Sequence, residues 1–272
     1  MNKRRKGIIL TVPYIVLSLF FLILPLAGLI FKSFSQGLGS WIRVLSNPLY
    51  IEGLKNSMIL SVWVTAESAA AGSIIAVLWY KRLAKHSWFL SFLNYSANNG
   101  GIGLAFALLA TLGTNGFLTI ILRRIGIRIY PNFDIVSLTG IHFAYLSFLV
   151  PYMTILFLPA VGSLKLEWWS AACTLGAGKK RYILKIAGPV LFPSFMASTT
   201  LVFLTSLGTY ATAQAISSDR INLITIQIGY LMQMSLFRQV DAYTISILLF
   251  LIMMIFIVIY KKTNEKAGRW LR

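Results

Sequence analysis

Six apolar stretches, each of roughly 20 residues, leave this chain few ways to fold: near 7–31, 56–79, 92–113, 135–160, 189–211 and 242–260. A helix needs about that many apolar residues to cross the hydrocarbon of a bilayer, and a soluble domain has nowhere to bury six of them. A closed β-barrel is the other architecture that satisfies its backbone in lipid, but these runs are continuous where a barrel strand alternates. The composition, 57% hydrophobic and 12% charged, agrees. The expected fold is an all-α integral membrane protein with about six transmembrane helices, forming a single domain over residues 1–272.

Against seven acidic residues stand 25 Lys and Arg, a net charge of +18 that in a soluble protein would suggest nucleic acid. Placement argues otherwise. With the N terminus in the cytoplasm, the inner segments hold Lys3, Arg4, Arg5, Lys6, Lys81, Arg82, Lys85, Lys165, Lys179, Lys180, Arg181, Lys185, Lys261, Lys262, Lys266, Arg269 and Arg272. The outer ones hold Lys32, Arg43, Lys55, Arg123, Arg124, Arg128, Arg220 and Arg238, about half as many. This bias places both termini in the cytoplasm of a multi-pass membrane protein, with lipid as a partner and no nucleic acid. Only the outer cluster Arg123, Arg124 and Arg128 runs against it. The run from Gly7 to Phe31 is too long for a signal peptide and lacks a small-residue cleavage site, so it is the first expected span.

Chemistry is sparse. Cys173 is the sole cysteine, His86 and His142 are the only histidines, and no spacing suits a metal. There is no phosphate-binding Gly-Lys-Ser/Thr motif and no nucleophile with its base, so no catalytic residue, resident metal or cofactor is expected on this chain. Glu67 is the conspicuous ionisable group within a span, and a carboxylate there is a functional candidate by default. Trp63 shares its helix face, a pairing suited to an organic cation. The alternative is that Glu67 bonds a neighbouring helix, with His142 as partner, beside the small residues Ala69 to Ser73 that let helices approach. Two stripes at helical spacing, His142, Tyr145, Leu149 and Tyr152, then Thr199, Phe203, Ser206 and Tyr210, suit either a solute pathway or interhelical hydrogen bonds. Helix two is expected to open after Asn56, with Trp41, Tyr50 and Glu52 in the outer loop before it. The polar run Asn94 to Gly101 predicts an irregular start to the third span, Pro151 a kink in the fourth, and Pro159 the end of that helix. Segment 212–241 reads as re-entrant or interfacial.

The polar interval at 162–188 carries the most specific pattern. Ser170-Ala171-Ala172, three residues, Gly176, nine residues, then Ile186 and Pro189 has the spacing of a small-residue helix stopped by a glycine, with a fifth span beginning at the proline. This interval resembles the signature loop of binding-protein-dependent ABC importer permeases, in which Glu-Ala-Ala, Gly and Ile-x-Leu-Pro fall at these spacings. Ser170 stands at the family's Glu and Gly188 at its Leu. The similarity extends over roughly 55–260, and Phe203 to Tyr210 with Ile221 to Thr225 is similar to the branch importing polyamines, ferric iron, thiamine or aminophosphonates.

The resemblance implies a type I (MetI-like) permease fold and a non-catalytic subunit forming half of a translocation pathway. Partners would be ABC ATPase subunits that bind ATP and Mg, a second permease subunit of a different chain, and an extracytoplasmic solute-binding protein. ATPase coupling would fall to Ser170, Ala171, Ala172, Leu175, Gly176, Ile186 and Pro189. Glu167, one turn before Ser170, either takes the part of the family's Glu or that contact is missing. Pathway candidates are Trp63, Glu67, His142, Tyr145, Tyr152, Thr199, Ser206 and Tyr210, and the solute expected from them is a polyamine or other organic cation. The competing reading is a self-sufficient ion-coupled secondary transporter or channel using Glu67, which has no need of a docking loop.

Overall fold

A computed structural model describes residues 13–83, 86–218, 220–235 and 238–268. The basic residues Lys3, Arg4, Arg5, Lys6, Lys85, Arg269 and Arg272 lie outside the described residues. In chain order the helices are α1 (Pro13–Ser33), α2 (Gly39–Ser46), α3 (Pro48–Leu83), α4 (Ser87–Asn98), α5 (Ile102–Leu112) and α6 (Phe117–Arg124). They continue with α7 (Leu138–Gly162), α8 (Leu166–Thr174), α9 (Lys179–Gly208), α10 (Ala211–Ser217), α11 (Ile224–Gln233) and α12 (Gln239–Gly268). Six helical stretches among the described residues are long and apolar enough to cross a membrane: α1, most of α3, α5 with α6, α7, α9 and most of α12.

Several boundaries differ from the expected ones, each for a local reason. Helix α3 begins at Pro48 and not after Asn56, because the Asn47 side chain accepts the Leu49 N–H at 3.0 Å and Pro48 fills the first helical position. Tyr50 and Glu52 therefore lie on α3, and Trp41 on α2. Asn94 and Asn98 are helical, their side-chain amides donating to the carbonyls of Leu90 and Asn94. The interruption falls at Asn99 to Gly101, where Gly101 has φ +110° and its N–H donates to Thr212 Oγ1 at 2.7 Å. Helix α7 continues through Pro151 and Pro159 to Gly162. Helix α9 starts ten residues before Pro189, since Lys179 to Lys185 consists mostly of good helix formers. Segment 212–241 holds α10 and α11, both too short to span.

Two prolines leave a matching imprint. Proline lacks an N–H and its ring crowds the carbonyl four residues back. Before Pro25 the chain widens into a π turn, Leu19–Ile23, closed by the Leu24 N–H on the Leu19 carbonyl. Before Pro189 it does so again over Ile183–Ala187, closed by Gly188 on Ile183. Each π turn contains the crowded carbonyl, which the wider turn displaces.

By contacts the chain divides into two compact units, residues 1–53 with 227–252, and residues 54–226 with 253–272. In the first, the wholly buried Asp241 accepts from Arg43 Nη2 at 2.7 Å and from Nε at 2.9 Å, while Nη2 also donates to Gln36 Oε1 at 2.9 Å. The hydrogen bond to Asp241 raises the Arg43 pKa further and keeps the guanidinium charged. Asp241 is fully buried while the Arg43 side chain is 44% exposed, so removing Arg43 would strand the carboxylate's charge. Ser40 Oγ adds a bond to the buried Ser33 carbonyl at 2.9 Å, tying α2 back to α1.

The second unit is built on α7, whose residues Ile141, Ala144, Tyr145, Phe148, Leu149, Met153, Phe157 and Val161 are buried at helical spacing. Around them pack Leu60, Val64, Ala69 and Ala76 of α3, Ala105 of α5, Val202 of α9, and Ala213 and Ile216 of α10. The small residues expected to bring helices together do so. A Cβ placed on Gly72 would lie 2.7 Å from Met153 Cβ and 2.9 Å from the Val150 carbonyl, and Thr154 Oγ1 donates to the Gly72 carbonyl at 3.3 Å. In lipid such close packing stands in for the missing hydrophobic drive between helices. Gly72→Ala should therefore destabilise the protein by about 1–3 kcal/mol, read as a lowered Tm in detergent. Gly162→Ala, whose Cβ would meet the movable end of Tyr80, should cost less. Equal shifts for the two variants would contradict a rigid contact at Gly72.

Candidate functional site

Helix α8 is nine residues long, with Glu167 in its first turn, where a negative charge suits the helix dipole. Its end is closed by two bonds. The Gly176 N–H donates to the Cys173 carbonyl and the Ala177 N–H to the Ala172 carbonyl, each at 2.9 Å, with Gly176 at φ +72°. This is the six-to-one, five-to-two arrangement of a glycine-stopped helix. A Cβ on Gly176 would meet nothing within 4 Å, so backbone conformation alone requires glycine there.

The signature residues fall on two connected elements. Glu167, Ser170, Ala171, Ala172 and Leu175 belong to α8 and its end, while Ile186 and Pro189 lie inside α9, beyond its first two turns. Ala172 is buried, and Leu175 is 85% exposed. Ser170, at the position of the family's Glu, turns its hydroxyl onto the Leu166 carbonyl of its own helix at 3.3 Å. Glu167 is exposed and enters neither ion pair found among the described residues. Trp169 meets Tyr182 edge-on with centroids 5.1 Å apart, fastening α8 to the start of α9. A short, firmly ended helix carrying an exposed leucine can bind another surface.

The second set of candidates lies on α3, α7 and α9. His142 Nε2 is 2.9 Å from Glu67 Oε2, which joins α7 to α3 as the packing alternative anticipated. The pair is not enclosed: the Glu67 side chain is 47% exposed, and Trp63 is 62% exposed. An open cleft of about 250 Å³ runs beside it, lined by Ile59, Leu60, Trp63, Leu138, Thr139 and His142. Tyr145 and Ser206 lie apart from this face. Both are buried, Tyr145 donating to the Thr209 carbonyl at 2.9 Å and Ser206 to Ser61 Oγ at 3.3 Å. Tyr152, Thr199 and Tyr210 are half-buried. Among the described residues no group of three His, Cys, Asp or Glu could hold a metal ion.

Sequence reasoning missed the polar stripe that α3 turns inward. Ser57, Ser61, Thr65 and Ser68 are all buried; Ser57 Oγ accepts the Ile224 N–H at 2.9 Å and Asn56 donates to the Asn222 carbonyl at 3.1 Å. Their spacing of four, four and three residues was the available signal. Arg43–Asp241 was missed too, because 198 residues separate the partners.

No family profile and no curated protein sequence matches this chain. Solved structures do. A bacterial ABC transporter involved in the import of the acidic polysaccharide alginate aligns over 97% of this chain and 96% of its own, with TM-score 0.73 and 16% identity. The alginate transporter in complex with its pentasaccharide-bound periplasmic protein gives 0.74 over the same spans, also at 16% identity. The MetNI methionine ABC transporter in an inward-facing conformation aligns over 80% of this chain and 96% of its own, with TM-score 0.61 and 14% identity. Likeness at this level of identity establishes architecture, and this multi-pass membrane chain has the permease fold of the ABC importers.

Proposed function

We propose that this chain is a permease subunit of an ATP-driven importer, coupled to ATPase subunits through α8. The observation that carries the reading is the coincidence of fold and site: a permease architecture along nearly the whole chain, and a glycine-stopped, exposed helix where the signature spacing falls. ATP and Mg belong to the ATPase subunits. A second permease chain completes the pathway, an extracytoplasmic binding protein delivers the solute, and both termini face the cytoplasm of the inner membrane. A cysteine placed at Lys180 in a Cys173-free chain should then resist an impermeant thiol reagent in sealed cells and react once they are opened. Labelling from outside would overturn both topology and docking.

Coupling through α8 depends on Gly176 holding its left-handed backbone. A β-branched residue there is a steric outlier, costing about 1–2 kcal/mol, whereas asparagine adopts this conformation more readily. In proteoliposomes containing the whole complex, Gly176→Val should cut solute uptake at least tenfold while Gly176→Asn keeps most of it. Full uptake by the valine variant would remove α8 from the coupling path.

The solute is proposed to be an organic cation, a polyamine or a compound of that class, passing the face formed by Trp63, Glu67 and His142. An ionisable side chain half open to its surroundings at a transmembrane position is costly against lipid and suits a water-filled route. Glu67→Gln preserves the hydrogen bond to His142 and deletes the charge. The complex should keep basal ATP hydrolysis and lose most cation uptake; normal uptake at normal yield would leave the pair a packing device. Uptake by this chain alone in liposomes, driven by an ion gradient without ATPase, would instead favour a secondary transporter that uses the same pair.

A further inference from the structure

A strongly charged patch lies between the proposed coupling residues Gly176 and Ile186, and the transport reading uses it only as a topology signal. Lys179, Lys180, Arg181 and Lys185 open α9, and all four are exposed. Neither ion pair among the described residues includes them, and Glu167 is the sole acidic residue of 162–188. Apolar side chains are interleaved with the charges: Ile183 is 47% exposed and Leu184 65%. The candidate membrane span is counted from Lys179 itself, so these residues occupy its first turns. Tyr182, within the patch, is held edge-on by Trp169, and such aromatic pairs favour the boundary between hydrocarbon and water.

Cations and bare apolar side chains on the same two turns suit a surface that is anionic on one side and apolar on the other. The long stems of Lys and Arg can lie along hydrocarbon while their charged ends reach outward. Phosphodiester headgroups at the head of the acyl layer offer both halves of that surface. We propose that the 179–185 collar binds the headgroups of anionic phospholipids and holds the start of α9, with α8 attached through Trp169 and Tyr182, at the membrane surface. This rests on the chain being a membrane protein and is independent of its being an importer.

The test uses the full chain in nanodiscs, with spin-labelled phosphatidylglycerol or phosphatidylcholine reporting which lipid is retained at the protein. Wild type should retain the anionic lipid preferentially. Each Lys or Arg near an anionic surface contributes roughly a fivefold factor. The variant K179Q/K180Q/R181Q/K185Q should therefore fall to near parity, and the milder K179Q/K180Q should fall part of the way even if the quadruple variant does not assemble. The charge-preserving K179R/K180R/K185R should keep the preference. An absence of preference in wild type, or an unchanged preference in the glutamine variants, would overturn the proposal. So would displacement of the lipid by soluble glycerol phosphate, which would mark a site for free phosphate. Loss of ATPase-subunit binding by the glutamine variants with their lipid preference unchanged would reassign the patch to a protein partner.

Discussion

Within a bilayer no water is available to satisfy a polar group, and much of the interior of this protein answers that constraint, although the buried hydroxyls of Thr65, Ser68, Thr119 and Thr199 have no hydrogen-bond partner among the described residues. Where α9 ends at Gly208, the freed Thr209 carbonyl accepts from Tyr145 and from Thr225. Where the chain turns from α10 into α11, Asn56 and Ser57 hold the backbone at Asn222 and Ile224. The break between α4 and α5 is closed by Thr212. Residues that a hydropathy reading passes over as small and neutral are thus the fasteners of the second unit. The first unit solves the same problem with charge, enclosing Asp241 only because Arg43 meets it with two donors.

Other groups stand outside this arrangement and suggest function. Glu67 and His142 satisfy each other yet both stay partly open, whereas in the first unit the acid Asp241 is fully covered and only its partner Arg43 is open. Helix α8 presents Leu175 almost bare, and its glycine stop rests on conformation alone, since the space around Gly176 would admit a side chain. The start of α9 gathers cations without acids. Each of these features keeps an open face.

Legibility differed between local and distant features. The number and order of the spans were readable because hydropathy is a property of consecutive residues, and the glycine stop of α8 because its backbone needs only one special residue at a fixed spacing. Span boundaries were less so. Asn47-Pro48 was a readable cap whose effect outweighed the polar composition of the next eight residues, and Lys179 to Lys185 were discounted as loop although charged residues make good helix. Of the two proposed stripes, Tyr145 and Ser206 point into the core, which face periodicity alone does not decide.

The sequence by itself determined that the chain spans a membrane about six times and that a short helix ends at Gly176, since both follow from local chemistry. It also narrowed the meaning of Glu67 to two alternatives, one with His142 as partner. Only the tertiary structure decided that this pair forms while staying open, that Gly72 sits against Met153, and that Asp241 is enclosed by Arg43. These depend on which helix faces meet across 75, 81 and 198 residues of chain, and in lipid, where every apolar face is equally content, steric fit and polar satisfaction make that choice.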